Sequence, residues 1–204
     1  MSEVQDGPID LVRYRQAPLK IMHLLKQPTE HNPSLPELFR ELVAEGKWFP
    51  LILRVAQRSY CLLNAPSPWK QVAELPRETL AESLLCSAVV NLANDEFQRS
   101  TPINKMMEWA RSKKDRWHGQ VRTYEPDVVV CGGTCDAAWT ALGKPEWVKL
   151  STGMECFHDP EIPSCLYVEM PHPSAQYPVK LVYTFLAAGV PEILAQCGKQ
   201  ARRS

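Results

Sequence analysis

Four short, nearly unbroken apolar runs constrain this chain most: Leu19 to Leu25, Leu84 to Leu92, Asp127 to Cys131 and Cys165 to Met170. Such a run offers no polar face to water, so it fits a strand covered on both sides, as in parallel sheets. Helical patterns separate the runs. Ser34-Leu35-Pro36-Glu37 has capping-box spacing, and Leu35, Leu38, Phe39, Leu42 and Val43 follow at helical intervals until Gly46. Phe49 to Leu63 is apolar-periodic and ends before Pro66 and Pro68. Thr101-Pro102 opens a helical pattern with Ile103, Met106, Met107, Ala110, Trp117 and Val121 on its apolar side. Gly132-Gly133-Thr134 turns the third run into a helix over Cys135 to Leu142. Pro171-His172-Pro173-Ser174 leads the fourth into a helix over Val179 to Ala188, stopped by Gly189.

This alternation predicts one α/β domain over residues 1–204 with short flexible ends, about 1–15 and 195–204. The expected architecture is a three-layer α/β/α sandwich around a mostly parallel four-stranded sheet. Ligands of such sheets bind outside the carboxyl ends of the strands. That rule gathers Gln27 to Glu30, Asn91, Gly132 to Thr134 and His172 to Ser174, four segments distant in sequence, at one edge.

Charge and cysteine content narrow the function classes. Lys+Arg and Asp+Glu are both 23, so no overall positive charge announces a nucleic-acid partner. The basic residues are uneven, however, with Lys105, Arg111, Lys113, Lys114, Arg116 and Arg122 in one stretch, readable as a basic face or as the solvated side of a helix. The seven cysteines are odd in number, which predicts buried thiols in a reducing compartment and no disulfides. No run approaches the roughly 18 apolar residues of a membrane span, and the N-terminus lacks a signal-type apolar core. A cytoplasmic protein without membrane contact is expected. Cys131-x3-Cys135 and Cys156-x-His158 followed by Cys165 carry metal-binding residue types. Their spacings do not form paired knuckles, and no metal or other cofactor is expected.

The order of the segments at the sheet edge resembles the uracil-DNA glycosylase superfamily. Leu25-Lys26-Gln27-Pro28-Thr29-Glu30 is similar to its water-positioning motif, Val89-Val90-Asn91-Leu92 to the strand ending in its base-recognising asparagine, and Pro171-His172-Pro173-Ser174 to its His-Pro-Ser segment. Pro126 to Gly133 resembles its penultimate strand and glycine turn. The resemblance spans about residues 19–188, and His-Pro-Ser is its one sharp local motif.

The resemblance implies a monofunctional glycosylase that flips a non-standard pyrimidine out of DNA, hydrolyses its N-glycosidic bond and leaves an abasic site. His172 would stabilise the leaving base, while Gln27 and Glu30 would handle the attacking water. Asn91 would read the base edge, and Tyr60, ahead of Trp48 and Phe49, would wall the base. Ser174, Gln176, Tyr177, Gly133 and Thr134 would contact DNA, with Gln176 and Tyr177 as the wedge that fills the gap. The partner is DNA containing a modified or damaged pyrimidine, and the protein is expected to act as a monomer.

One departure bears on the substrate. Gln27 stands where the family usually places an acidic residue or asparagine, and a neutral amide can orient water but cannot remove its proton. Glu30 is the nearest carboxylate. In this the chain resembles a bacterial branch that includes anti-phage enzymes acting on glucosylated hydroxymethylcytosine. That base ranks ahead of the alternative, uracil in base-excision repair. A catalytically silent DNA-binding protein of the same fold is a second alternative. A third is an unrelated α/β hydrolase or nucleotide-binding domain whose His-Pro-Ser is coincidental.

Overall fold

Each apolar run becomes a strand, and the loops between them supply edge strands that hydropathy does not mark. The computed structural model describes residues 6–26, 34–64, 66–93 and 101–199. The described chain begins with β1 (Gly7–Pro8), α1 (Leu11–Gln16) and β2 (Ile21–Leu25). Four helices follow, α2 (Leu35–Ala44), α3 (Pro50–Leu63), α4 (Trp69–Ala73) and α5 (Arg77–Leu85), and then β3 (Ser87–Asn91). Next come α6 (Ile103–Ser112), α7 (Lys114–Tyr124), β4 (Val128–Gly132) and α8 (Cys135–Ala141). The last elements are β5 (Val148–Lys149), β6 (Glu155–His158), β7 (Leu166–Met170) and α9 (Val179–Gln196).

The protein is α/β, with one mixed seven-stranded sheet in the order β1-β3-β2-β4-β7-β6-β5. The four expected strands form its parallel centre, β3-β2-β4-β7. The expected four-stranded sheet is therefore too small: β1 adds to β3, β6 to β7 and β5 to β6, all antiparallel. The strands at the two edges, β1 and β5, are two residues long, and β6 beside β5 is four. Short edge strands limit the unpaired backbone presented to other chains, and they are too brief to show a hydrophobic period.

Alternation along the central strands divides the core between the two faces of the sheet. Met22, Leu24, Ala88, Val90, Val129 and Cys131 pack with Ala110, Trp117, Val121 and Ala137 from α6, α7 and α8. On the other face, Ile21, Val128, Val130 and Val168 meet Cys61 of α3 and Leu186, Val190 and Ile193 of α9. Leu25 and Val89 pack there with Phe39, Val55 and Leu80 from α2, α3 and α5. His23 is the polar exception in the middle of β2. It is fully buried, its Nε2 lies 2.9 Å from Ser59 Oγ, and burial, helped by Arg58, pushes its pKa down to about 3.

Several sequence expectations are corrected. Leu84 belongs to α5 and the strand begins only at Ser87, because a continuous apolar run does not distinguish a strand from a buried helical turn. The expected long helix after Pro102 breaks at Lys113 into α6 and α7, and Trp117 Nε1 donates to the Ala110 carbonyl across the break at 2.8 Å. Pro102, not Thr101, stands at the N-cap position of α6. Gly189 does not stop α9, which continues through Pro191 to Gln196. A Cβ at Gly189 would lie 3.3 Å from Met154 Cε, so this glycine permits close packing inside the helix. The N-terminal stretch expected to be flexible contains β1 and α1, and the Asp10 carboxylate caps α1 by accepting from the Val12 and Arg13 N–H groups at 3.0 and 3.1 Å.

All seven cysteines are free thiols. Among the described residues one helix, α9, is long and apolar enough by length and composition to cross a membrane. It lays Tyr183, Leu186, Val190, Ile193 and Leu194 against the fold and leaves Leu181 and Phe185 exposed.

Candidate functional site

Because β3, β2, β4 and β7 are parallel, their carboxyl ends share one edge. Register pairs Leu25 with Asn91 and Gly132 with Met170. The ends of β3 and β7 are three strand spacings apart, about 14 Å. This edge carries Asn91, Lys26, the Gly132–Thr134 turn and the His172 loop.

His172 is half-buried two residues beyond β7. The backbone N–H of Ser174 donates to its Nδ1 at 3.2 Å, and the Ser174 hydroxyl lies 2.6 Å from the same nitrogen. A backbone N–H can only donate, so Nδ1 must accept, and the ring proton of the neutral imidazole sits on Nε2. Burial pushes the His172 pKa down to about 4, with the charges of Lys26 and Arg58 adding to the effect, so the ring is uncharged at neutral pH.

The glycine turn is built around this loop. Gly133 has φ 65°, a conformation that side chains rarely adopt. A Cβ there would stand 3.4 Å from His172 Cβ, and its N–H donates to the Met170 carbonyl at 2.7 Å. From α3, Arg54 donates to the carbonyls of Pro173 and Ala175, and Arg58 donates to the Pro171 carbonyl at 2.8 Å. Residues four apart share a helix face, which is how two arginines reach one loop. The sequence shows this spacing, but the apolar period over Phe49 to Leu63 points only to the buried face of the helix and gives no sign of either arginine's role.

Asn91 has a different kind of restraint. Its N–H donates to Asp6 Oδ2 at 2.8 Å and its carbonyl accepts from Arg116 Nη2 at 2.6 Å, with Asp6 and Arg116 themselves paired at 3.3 Å. The main chain is held, yet the side chain, 1% exposed, has no hydrogen-bond partner for either Oδ1 or Nδ2 among the described residues. Such an amide costs free energy unless something pairs with it.

No protein-family model and no curated protein matches this chain. The chemistry of the site therefore rests on the residues themselves: a fixed neutral imidazole beside an open cleft, and, at the end of β3, a buried amide with neither polar atom paired among the described residues, which does not itself line that cleft. That cleft, about 520 Å³, is lined by Lys26, Gly133, Glu169, His172, Tyr177 and Phe185 among others. Among the described residues no group of three or more His, Cys, Asp or Glu side chains could hold a metal ion.

The expected site residues are brought together only in part. His172, Ser174, Gly133 and Tyr177 meet at the cleft or its rim, and Gln176 is exposed beside Tyr177. Gln27 and Glu30 lie outside the described residues. Thr134 is corrected: it is fully buried and its hydroxyl donates to the Leu24 carbonyl at 2.8 Å, which ties the turn to β2 and leaves it no access to DNA. Ser174 is engaged with His172 instead of offering its hydroxyl outward to a phosphate. Tyr60 is not brought to the cleft. Arg54 meets the His172 loop while Ser59 is level with His23 in mid-strand, so Tyr60 lies roughly 9 Å along α3 from Arg54, away from the rim. It packs against the core clusters on that face, and the aromatic side chains that share the cleft with His172 are Tyr177 and Phe185.

The basic stretch is spent largely within the fold. Arg116 pairs with Asp6, Lys114 and Arg122 both pair with Glu161, and the Lys105 ammonium lies over the Trp109 ring.

Proposed function

We propose that this chain is a cytoplasmic, monomeric, cofactor-independent DNA glycosylase of the uracil-DNA glycosylase type, built as a three-layer α/β/α sandwich. The observation that carries the proposal is the fixed tautomer of His172: Nδ1 is occupied by Ser174, so Nε2–H is left to donate. Breaking the N-glycosidic bond builds positive charge on the sugar and negative charge on the base. A neutral imidazole at the strand edge stabilises the latter by donating to a base carbonyl oxygen, a contribution of order 3 kcal/mol. Water adds to the sugar carbon, the base leaves with its electron pair and is reprotonated, and an abasic site remains.

Asn91 supports base reading, since its buried amide offers one donor and one acceptor to the edge of a flipped pyrimidine. Gln27, directly after Lys26 in the chain, and Glu30, three residues further on, are the proposed water-handling pair. Gln176 and Tyr177, exposed after His172, are the proposed wedge. The open cleft favours a base larger than uracil, and a glucosylated hydroxymethylcytosine of viral DNA, met in anti-phage defence, is the proposed substrate.

The test incubates the protein with oligonucleotides carrying either uracil or glucosylated hydroxymethylcytosine and scores alkali-labile strand breaks. Breaks at the modified cytosine that disappear in His172→Ala, with the fold retained, are expected. Breaks at uracil alone would keep the reaction and change the substrate. DNA binding with no product from either would point to a silent binder, and normal activity in His172→Ala would remove the central assignment.

A further inference from the structure

We propose that Arg54 and Arg58 are positioning residues for His172: side by side on α3, they bind the carbonyls of Pro171, Pro173 and Ala175 and hold the loop in the shape that presents its imidazole as a donor. The proposal rests on the reading of His172 as donor to the leaving base. Three carbonyls of a five-residue loop are held by two guanidinium groups of one helix. That helix is in turn fixed to the sheet through Ser59 and His23. Arg58 is 4% exposed, an unusual depth for a charge, and among the described residues it has no carboxylate partner and one of its terminal nitrogens, Nη1, has no hydrogen-bond partner. Both arginines line a small cavity shared with His172 and Ala175.

The arrangement has an electrostatic side. His172 faces Lys26 beyond β2, Arg54 and Arg58 of α3, Tyr183 of α9 and Tyr177 of its own loop, with Glu155 of β6 and Glu169 of β7 across the cleft. The nearest charges are positive, which disfavours a second proton on the ring and favours its neutral form. A histidine that donates to a developing anion while remaining neutral needs both effects: a fixed Nδ1 acceptor and a barrier to protonation. Arg58 supplies part of each.

NMR titration of the full-length protein, following the ring nitrogens of His172, separates these roles from simple packing. In Arg58→Met the His172 titration should rise by about one pH unit, while Arg58→Lys, which keeps the charge, should stay near the wild type. In Arg54→Met the ring should lose its single tautomer, with both nitrogens showing mixed character. On substrate, kcat should fall about tenfold in each Met variant with KM little changed. Unchanged titration and tautomer in both folded Met variants overturns the proposal. If Arg58→Met does not fold, the tautomer in Arg54→Met decides. The titration needs no substrate, so shifted behaviour in a protein inactive on DNA would sink the glycosylase reading and leave this one standing.

Discussion

Ser174 directs both its hydroxyl and its backbone N–H at Nδ1 of His172, at 2.6 and 3.2 Å. The serine of His-Pro-Ser therefore sets the chemistry of the histidine two residues before it, a relationship that local sequence already contains but that only a folded turn completes. In Ser174→Ala the backbone contact survives and the hydroxyl contact does not. One hydrogen bond contributes about 1 kcal/mol net, so kcat should fall roughly fivefold. Ring-nitrogen NMR of His172 should show a minor second tautomer. Because Ser174 is exposed, the loss in urea unfolding should not exceed about 1 kcal/mol.

Asn91 should separate stability from function. Its buried amide has no partner among the described residues for either polar atom, so Asn91→Leu removes two desolvated groups and keeps their volume. Urea unfolding should show stability equal to or above that of the wild type. The same variant should lose discrimination between bases, with kcat/KM on the preferred base down by about a hundredfold.

Thr134 should behave oppositely. Thr134→Val leaves the Leu24 carbonyl without its buried donor and should cost about 1–3 kcal/mol in urea unfolding. DNA affinity measured well below the unfolding midpoint should not change. A loss of affinity with unchanged stability would return Thr134 to the DNA surface.

His23 predicts a particular acid sensitivity. Its pKa is lowered to about 3 in the fold from an ordinary value near 6.5, so the unfolded chain binds its proton first as pH falls. The stabilisation associated with the neutral ring is complete above pH 6.5 and is lost progressively as pH falls toward 3. The loss amounts to roughly 4 kcal/mol by the foot of that window. In His23→Gln, which keeps a polar partner for Ser59, the fall in stability between pH 6.5 and 4 should be visibly shallower. Urea unfolding at several pH values in that window measures it.

The sequence by itself determined the central strands, the cap of α2 and the edge on which the chemistry gathers. Buried parallel strands need apolar residues on both faces, and that requirement is written in Ile21 to Leu25 and Val128 to Val130 without reference to anything distant. Ser34 likewise caps α2 as its spacing implies, accepting from the Glu37 N–H at 3.3 Å. The candidate site was legible at His172, Asn91 and Gly133 because parallel strands place their carboxyl ends together. What only the tertiary structure decided were the long-range partners. Asp6 and Arg116 meet at Asn91 from 85 and 25 residues away, and Arg54 and Arg58 reach a loop more than 110 residues later. No local period encodes such pairings. Edge strands as short as Gly7–Pro8 carry no pattern of their own, since their backbone is ordered by the neighbour they pair with. The placement of Thr134 and Tyr60 was not legible for the same reason: the Thr134 hydroxyl donates to the Leu24 carbonyl and Tyr60 packs against core clusters beside α3, partners that residue type does not announce.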